Sequence, residues 1–173
     1  MRERTGDLFE AAREADALVV TTNGAVRADG CAVMGRGVAK QAADRWPWLS
    51  KALGYRLKNG NHLYVWRPDE SGERFYIATF PVKHHWRETA DLELIRSSVG
   101  ELGLFADVHR QDVRTVVLPR LGCGNGGLLW RPVTVNQGEP DEYELVGVRD
   151  VVAPLLDDRF VVVYNGTDVG RRW

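Results

Sequence analysis

Two glycine-rich segments of the sequence have the composition of phosphate-binding loops. In the first, residues 34–40 (Met-Gly-Arg-Gly-Val-Ala-Lys), Gly35 and Gly37 stand directly before a predicted helix. Free backbone N–H groups and the positive end of the helix dipole would then face an anion. A tight turn that uses two glycines is the alternative. The pattern G-x-x-x-x-G-K-[ST] is absent, which disfavours a nucleoside triphosphatase.

The second segment, residues 119–127, reads Pro-Arg-Leu-Gly-Cys-Gly-Asn-Gly-Gly. Glycine costs up to about 1 kcal/mol of backbone entropy relative to alanine, so close approach of a ligand explains these glycines better than packing does. Gly122, Gly124 and Gly127 match G-x-G-x-x-G, which makes a nicotinamide-dependent oxidoreductase an alternative. In that fold the pattern follows the first strand, whereas here it comes late. The two segments together predict a diphosphate site held from both sides.

Residues 83–87 (Lys-His-His-Trp-Arg) are too polar and bulky for a core turn and predict a pocket rim. Lys83 would face the ligand, and Trp86 or Arg87 would touch a base or a phosphate. The alternative is a solvated loop whose Trp86 covers the edge of the core. A lysine beside a diphosphate stays protonated and acts electrostatically, unless desolvation lowers its pKa and lets the amine attack a sugar C1 carbon. Both roles remain open from the sequence.

Metal and thiol chemistry are not expected. His84 and His85 are adjacent and would point apart on an extended backbone, and the four histidines lack the spacing of a metal site. With only Cys31 and Cys123, the chain cannot build a disulfide framework, which fits a reduced compartment. Cys123 is interpreted as a small side chain in a crowded loop, because no paired base is evident, and a nucleophilic thiol is the alternative.

The elements that must position these residues alternate between strands and helices. Apolar β-branched runs predict buried strands at 17–22, 113–118 and 160–164, and a hairpin joins 63–66 to 74–80. Helical spacing covers 92–105 with Thr89 as N-cap, 37–44 continuing after Pro47 to 57, and 148–157 with Pro154 as a kink or stop. This alternation predicts an α/β sandwich around a mixed sheet.

The composition predicts one domain over residues 1–173, since the chain has 173 residues, of which 44% are hydrophobic. An acidic, loop-like insertion is predicted at about 134–147, and a mobile tail at 165–173. The net charge of -1 gives no overall attraction to nucleic acid, so any such contact must be local. The apolar runs are too short for a membrane helix and no apolar signal segment follows Met1, so we expect a soluble cytoplasmic protein.

Taken together, the segments resemble those of macrodomains, the α/β/α modules that bind ADP-ribose. The resemblance extends over residues 6–164 and rests on residues 6–9, 19–23, 33–39, 81–87 and 118–130. It implies a three-layer α/β/α sandwich with a central mixed β-sheet. The last two segments are similar to the subgroup of the terminal ADP-ribose protein glycohydrolase and the antitoxin that removes ADP-ribose from thymidine in DNA.

The resemblance also implies roles for individual residues. Asp7 would accept a hydrogen bond from the adenine amino group beside the Leu8 backbone, Tyr164 would pack on the adenine or its ribose, and Asn23 would lie at the rim of the distal ribose. Lys83 would be the catalytic residue at the anomeric carbon of that ribose. The diphosphate and distal ribose would be held by two loops (Gly35, Arg36, Gly37 and Val38; Arg120, Leu121, Gly122, Cys123, Gly124, Asn125 and Gly126). His85, Trp86 and Arg87 would form the substrate rim.

The implied function is a metal-independent mono-ADP-ribosyl hydrolase that needs no cofactor, with ADP-ribose as its ligand and product. Its acceptor would be an acidic protein side chain or a DNA base, and its partners would be ADP-ribosylated protein or DNA and a cognate ADP-ribosyltransferase. One departure matters: Gly126 stands where the protein-directed glycohydrolase has the aspartate that resolves a lysine-linked intermediate, which favours a nucleobase-linked substrate. A non-catalytic module that reads ADP-ribose is the alternative.

Overall fold

The computed structural model describes residues 1–135 and 143–166. The strands are β1 (Arg2–Thr5), β2 (Ala17–Asn23), β3 (Tyr64–Trp66), β4 (Tyr76–Lys83), β5 (Val116–Leu118), β6 (Val133–Val135), β7 (Tyr143–Leu145) and β8 (Phe160–Tyr164). The helices are α1 (Leu8–Ala12), α2 (Gly37–Arg45), α3 (Pro47–Arg56), α4 (Pro68–Ser71), α5 (Leu92–Val108) and α6 (Val148–Val152). One-turn 3₁₀ helices follow α3 (Leu57–Asn59) and α6 (Ala153–Leu155).

The central sheet has six strands in the order β1-β8-β5-β2-β4-β3. All neighbouring pairs are parallel except β3 and β4, which form the predicted antiparallel hairpin. The mixed sheet is therefore confirmed. Parallel strands present their carboxyl ends at one edge, where ligands bind in open α/β sheets.

Side chains alternate between two hydrophobic cores, one on each face of the sheet. Leu18, Val20 and Ile77 pack with α1, α2 and α3 on one face. Val19, Ala78 and Phe80 pack with α5 and α6 on the other. This alternation gives the three layers of the predicted α/β/α sandwich.

The predicted starts of one helix and one strand were wrong for local reasons. Helix α5 begins after Asp91 and not after Thr89, because the Asp91 carboxylate accepts the free N–H groups of Glu93 (2.8 Å) and Leu94 (3.2 Å). The strand predicted at 113–118 begins only at Val116, because the backbone N–H groups of residues 114 and 115 donate to Asp16. The helix predicted at 148–157 is limited to the shorter α6, one of the two outcomes expected from Pro154, and a 3₁₀ turn that contains Pro154 follows it.

The sequence interpretation missed β1 and α1. Strand β1 lies at the sheet edge with charged side chains, so it lacks the apolar run that identified the other strands. Within the predicted insertion, β6 and β7 pair antiparallel, which corrects the loop assignment at both ends. Residues 136–142 of that insertion, and residues 167–173 of the predicted mobile tail, lie outside the described residues.

Candidate functional site

A cleft of about 860 Å³ lies at the carboxyl ends of β2, β4 and β8 and the loop after β5. Most of the residues predicted from the sequence line it: Asp7, Leu8, Asn23, Gly35, Arg36, Gly37, Val38, Lys83, Trp86, Arg87, Arg120, Gly122, Cys123, Gly124, Asn125, Gly126 and Tyr164. Leu121 and His85 do not line it. Leu121 is fully buried in the core, and its predicted ligand contact stays a prediction.

Lys83, the last residue of β4, is buried at the wall of the cleft with 8% of its surface exposed. Its ammonium group donates to the backbone carbonyl oxygens of Asn125 (2.8 Å), Glu88 (3.0 Å) and Trp86 (3.5 Å). These carbonyls come from both the second glycine loop and the segment after β4. Lys83 therefore joins the two segments as well as facing the cleft.

Burial lowers the pKa of Lys83, and the negative charge of Glu88 partly opposes that shift. The three carbonyl oxygens also favour the charged ammonium form, because an uncharged amine has only two N–H groups to donate. The structure thus surrounds Lys83 with acceptors suited to a cation.

The first glycine segment forms the predicted helix N-terminus. Helix α2 begins at Gly37, and no side chain caps its first turn, so backbone N–H groups remain for a ligand at the cleft. Gly37 has a left-handed backbone (φ +57°), and a Cβ there would lie 2.8 Å from Nδ2 of Asn125. The two glycine loops therefore come close together at this point.

The second glycine segment is packed tightly at one position and open at another. A Cβ at Gly126 would lie 2.2 Å from the Gly122 carbonyl oxygen, whereas a Cβ at Gly124 would meet nothing within 4 Å. Gly126 also accepts a hydrogen bond from the Ala90 N–H group (2.8 Å). The loop runs from Gly127 into irregular backbone and not into a helix, so it lacks the strand–loop–helix setting of the dinucleotide-binding fingerprint.

At the other end of the cleft, Asp7 caps α1 by accepting the N–H groups of Phe9 (2.8 Å) and Glu10 (2.9 Å). The guanidinium of Arg120 stacks on the Tyr164 ring, 3.7 Å from its centroid. Its Nη2 atom lies 3.7 Å from the Glu3 carboxylate. A flat, cation-backed aromatic surface and a carboxylate suit a heteroaromatic base with an exocyclic amine.

Asn23 has a structural task that the sequence did not indicate. Its side chain donates to the Val33 carbonyl (2.9 Å) and accepts from the Ala25 N–H group (3.0 Å), which fixes the loop that leads to the first glycine segment. Asn23 lines the cleft and is buried. Its predicted contact with the distal ribose stays a prediction.

The rim beside Lys83 is aromatic and basic. Trp86 is 46% exposed, with the Arg87 guanidinium 4.6 Å from its ring centroid and the tilted His85 ring 5.5 Å away. The Arg87 N–H group also donates to Nδ1 of His85 (3.3 Å). Trp86 and Arg87 thus form the mouth of the cleft, and His85 supports them from behind.

Sequence reasoning missed three polar residues that shape the site. Glu88 lines the cleft beside Lys83. Glu3, on β1, lies 3.7 Å from Arg120, which belongs to the loop after β5. The Asn61 amide donates to the Lys83 carbonyl (3.1 Å) and so fixes the end of β4. Of the three, only Glu88 could have been recognised from the sequence, because it directly follows the segment 83–87 that was predicted to form the pocket rim.

The described residues form neither a metal-binding cluster nor a membrane-spanning helix. Over residues 1–135 and 143–166, no three or more histidine, cysteine, aspartate or glutamate side chains come together in a way that could hold a metal ion. Over the same ranges, no helix is both long enough and apolar enough to cross a membrane.

Comparisons with known proteins identify similar chains. No protein-family model matches the sequence. The chain is 33% identical over 132 residues to the DNA ADP-ribosyl glycohydrolase of Thermus aquaticus, an alignment that covers 74% of this chain and 34% of the relative. It is 25% identical over 145 residues to a DNA ADP-ribosyl transferase–DNA ADP-ribosyl glycohydrolase fusion protein of Thermosipho africanus, covering 72% of this chain and 34% of that protein. The chain thus spans about a third of the length of these curated relatives.

Among solved structures, the fold is similar to the macrodomain of Mycobacterium tuberculosis DarG, with a TM-score of 0.70 and 28% sequence identity. That match covers 94% of this chain and 95% of the other. The likeness therefore extends over almost the whole of both chains.

Proposed function

This chain is a macrodomain that resembles the macrodomains of the DarG proteins, and from that premise we propose that it binds ADP-ribose and hydrolyses the bond that links ADP-ribose to a modified acceptor. The acceptor we propose is a DNA base, because the curated relatives are named DNA ADP-ribosyl glycohydrolases. The expected partners are ADP-ribosylated DNA and, as in the fusion relative, an ADP-ribosyltransferase.

The observation that carries this proposal is the arrangement of the cleft around Lys83. Two glycine loops meet there, one with the uncapped N-terminus of α2 and the other with backbone close enough to bind the lysine. A diphosphate suits the free N–H groups of a helix start. The exposed guanidinium groups of Arg36 and Arg87 line the same cleft and add positive charge for a phosphate-rich substrate.

For Lys83 we propose that the ammonium, not the free amine, is the working form. Three carbonyl oxygens lie within 3.5 Å of its nitrogen, and Trp86 supplies the longest of these contacts. If the substrate atom that carries ADP-ribose replaced the Trp86 carbonyl as a partner, Lys83 could donate a proton to the leaving base. The other two carbonyl oxygens would still hold the lysine side chain. To act as a nucleophile, the lysine would instead have to lose a proton and give up its hydrogen bonds to the carbonyl oxygens. Its lone pair would then have to turn toward C1 of the distal ribose.

The test is release of ADP-ribose, measured by mass spectrometry, from single-stranded DNA carrying ADP-ribose on a base and from protein carrying ADP-ribose on glutamate. Wild type, Lys83→Met and Lys40→Met are compared. Lys40 is the matched control, because it also lies beside a glycine loop but pairs with Asp44 and does not line the cleft. We expect release from DNA by wild type and Lys40→Met, and a loss of at least about 100-fold for Lys83→Met.

Calorimetric titration of free ADP-ribose completes the test. Binding by both lysine variants, combined with lost release only for Lys83→Met, supports the hydrolase. Release from protein but not from DNA would move the acceptor to acidic side chains. Binding of ADP-ribose without release from either substrate by wild type would contradict the hydrolase and leave a reader module.

A further inference from the structure

A second ionisable group faces the Lys83 end of the cleft. Among the described residues that line the cleft, the carboxylates are Asp7 and Glu88. Asp7 follows β1, which is four strand positions from β4, or about 19 Å across the sheet. Glu88 is five residues beyond Lys83, so it is the carboxylate on the lysine side of the cleft.

Short contacts hold the Glu88 segment against Lys83. The Lys83 ammonium donates to the Glu88 carbonyl oxygen (3.0 Å), and the Glu88 N–H group donates to the His85 carbonyl (3.1 Å). Oε2 of Glu88 accepts the His85 N–H group (2.9 Å). The turn uses one carboxylate oxygen, and a carboxylate can accept a proton from water through the other.

Position 126 of the opposite loop has no space for an acidic side chain. A side chain at Gly126 would meet the Gly122 carbonyl at 2.2 Å and the Ala90 Cβ at 2.8 Å. An aspartate there would require the backbone to move. The Glu88 charge, by contrast, already acts on Lys83, whose pKa it raises against the effect of burial.

We propose that Glu88 is a catalytic residue that activates the attacking water, with Lys83 as the proton donor at the same end of the cleft. This inference rests on the proposed hydrolase function. The water oxygen forms a bond to C1 of the distal ribose as Glu88 takes its proton. The bond from C1 to the acceptor atom breaks, its electron pair stays on the acceptor, and Lys83 supplies the acceptor with a proton. Transfer of the Glu88 proton to Lys83 through solvent restores both groups, so one water is consumed for each bond cleaved.

The first measurement is steady-state release of ADP-ribose from base-modified single-stranded DNA by wild type, Glu88→Gln and Glu93→Gln. Glutamine keeps an oxygen that can accept the His85 N–H group, so the turn is retained while the basic carboxylate is lost. Glu93 is the matched control, because it is an exposed glutamate on α5 outside the cleft. We expect kcat to fall by about 100-fold or more for Glu88→Gln, with KM and the Kd for ADP-ribose unchanged, and no change for Glu93→Gln.

A second variant separates catalysis from folding. In Glu88→Ala, added formate can occupy the vacated space, and we expect it to restore kcat in a concentration-dependent way while leaving wild type unaffected. Release by Glu88→Gln within about twofold of wild type, or absence of formate rescue together with an unchanged melting temperature, would overturn the role of Glu88 and leave the hydrolase standing. Absence of release by wild type itself would overturn the hydrolase and this inference together.

Discussion

Lys83 combines the predicted position at the cleft with a structural role that the sequence did not indicate. Its ammonium group places a positive charge at the wall of the cleft. Its hydrogen bonds to the Asn125 and Glu88 carbonyl oxygens also hold two loops together. A truncation to alanine would remove both functions at once. Variants of similar length are therefore the informative ones at this position.

In the proposed hydrolase, the pH dependence of kcat would show which protonation form of Lys83 takes part in the reaction. Burial lowers the pKa of Lys83, with Glu88 partly opposing, so the ammonium is lost at a lower pH than in an exposed lysine. A proton-donating ammonium predicts a kcat that falls as pH rises through this lowered pKa. Rates of ADP-ribose release at saturating substrate between about pH 6 and about pH 10 would check it. A kcat that instead rises on the alkaline side would identify the amine as the reactive form.

At the level of single residues, the sequence indicated those parts of the site whose residue types themselves suggest a chemical role. Lys83, Trp86 and the glycines of both loops could be placed at one cleft from composition and spacing. The partners of Asn23 and Lys83 could not, because these side chains bind backbone atoms of the Val33 and Asn125 loops. Such contacts depend on the path of the backbone. Because every residue has a backbone carbonyl, the types of the residues that provide these contacts do not reveal them.

Among the structural elements, the loop after β5 shows why its glycines are not equivalent. Gly126 is packed against the Gly122 carbonyl, so its lack of a side chain is a requirement of folding. Gly124 faces open space at the cleft, so its lack of a side chain leaves room for a ligand. The two positions therefore separate stability from binding within a single loop.

Gly126→Ala and Gly124→Ala form a matched pair for this distinction. We expect Gly126→Ala to destabilise the fold by about 1–3 kcal/mol, because the added methyl group overlaps the backbone. Gly124→Ala should keep the wild-type melting temperature and weaken ADP-ribose binding. Thermal melts and calorimetric titrations of both variants measure the two effects. Equal melting temperatures for the pair would contradict the packing described for Gly126.

Strands and helices with strong hydrophobic patterns were predictable, and the edges of elements were not. Strands β2 and β8 are continuous apolar runs, and α5 follows a regular helical spacing. Strand β1 is charged and is held at the sheet edge by its pairing with β8, a partner more than 150 residues away in the chain. Its position depends on a long-range contact, which local sequence does not reveal.

Across the whole molecule, Glu3 connects parts of the chain that are distant in sequence. Its carboxylate accepts hydrogen bonds from Arg149 (2.7 Å) and Trp130 (3.0 Å), and it lies 3.7 Å from both Arg120 and Arg131. Burial raises the pKa of Glu3, but these hydrogen bonds and positive charges outweigh that effect and hold the pKa below its usual value. The link joins β1, the loop after β5 and α6 behind the Tyr164 end of the cleft.

The charge on Glu3 contributes to the stability of the fold, and this contribution is lost in acid. Because the folded-state pKa is below the unfolded value, the stabilisation is complete above the unfolded pKa and is lost as pH falls through the folded one. We expect Glu3→Gln to have a lower melting temperature than wild type near neutral pH. As the pH is lowered, the melting temperature of the variant should fall less than that of wild type. Thermal melts from about pH 7 to about pH 3 measure this, with the exposed Glu10→Gln as control. Parallel pH curves for Glu3→Gln and wild type would contradict the role of Glu3.

The contact between Gly37 and the Asn125 side chain also sets how a ligand leaves. A diphosphate held between the two loops would be released more readily when Asn125 moves away from Gly37. We therefore expect the residence time of ADP-ribose to depend on how often Asn125 moves away from Gly37, as well as on the ligand's own contacts. Two variants with the same affinity can therefore differ widely in dissociation rate, and in a hydrolase that retains its product this rate limits turnover.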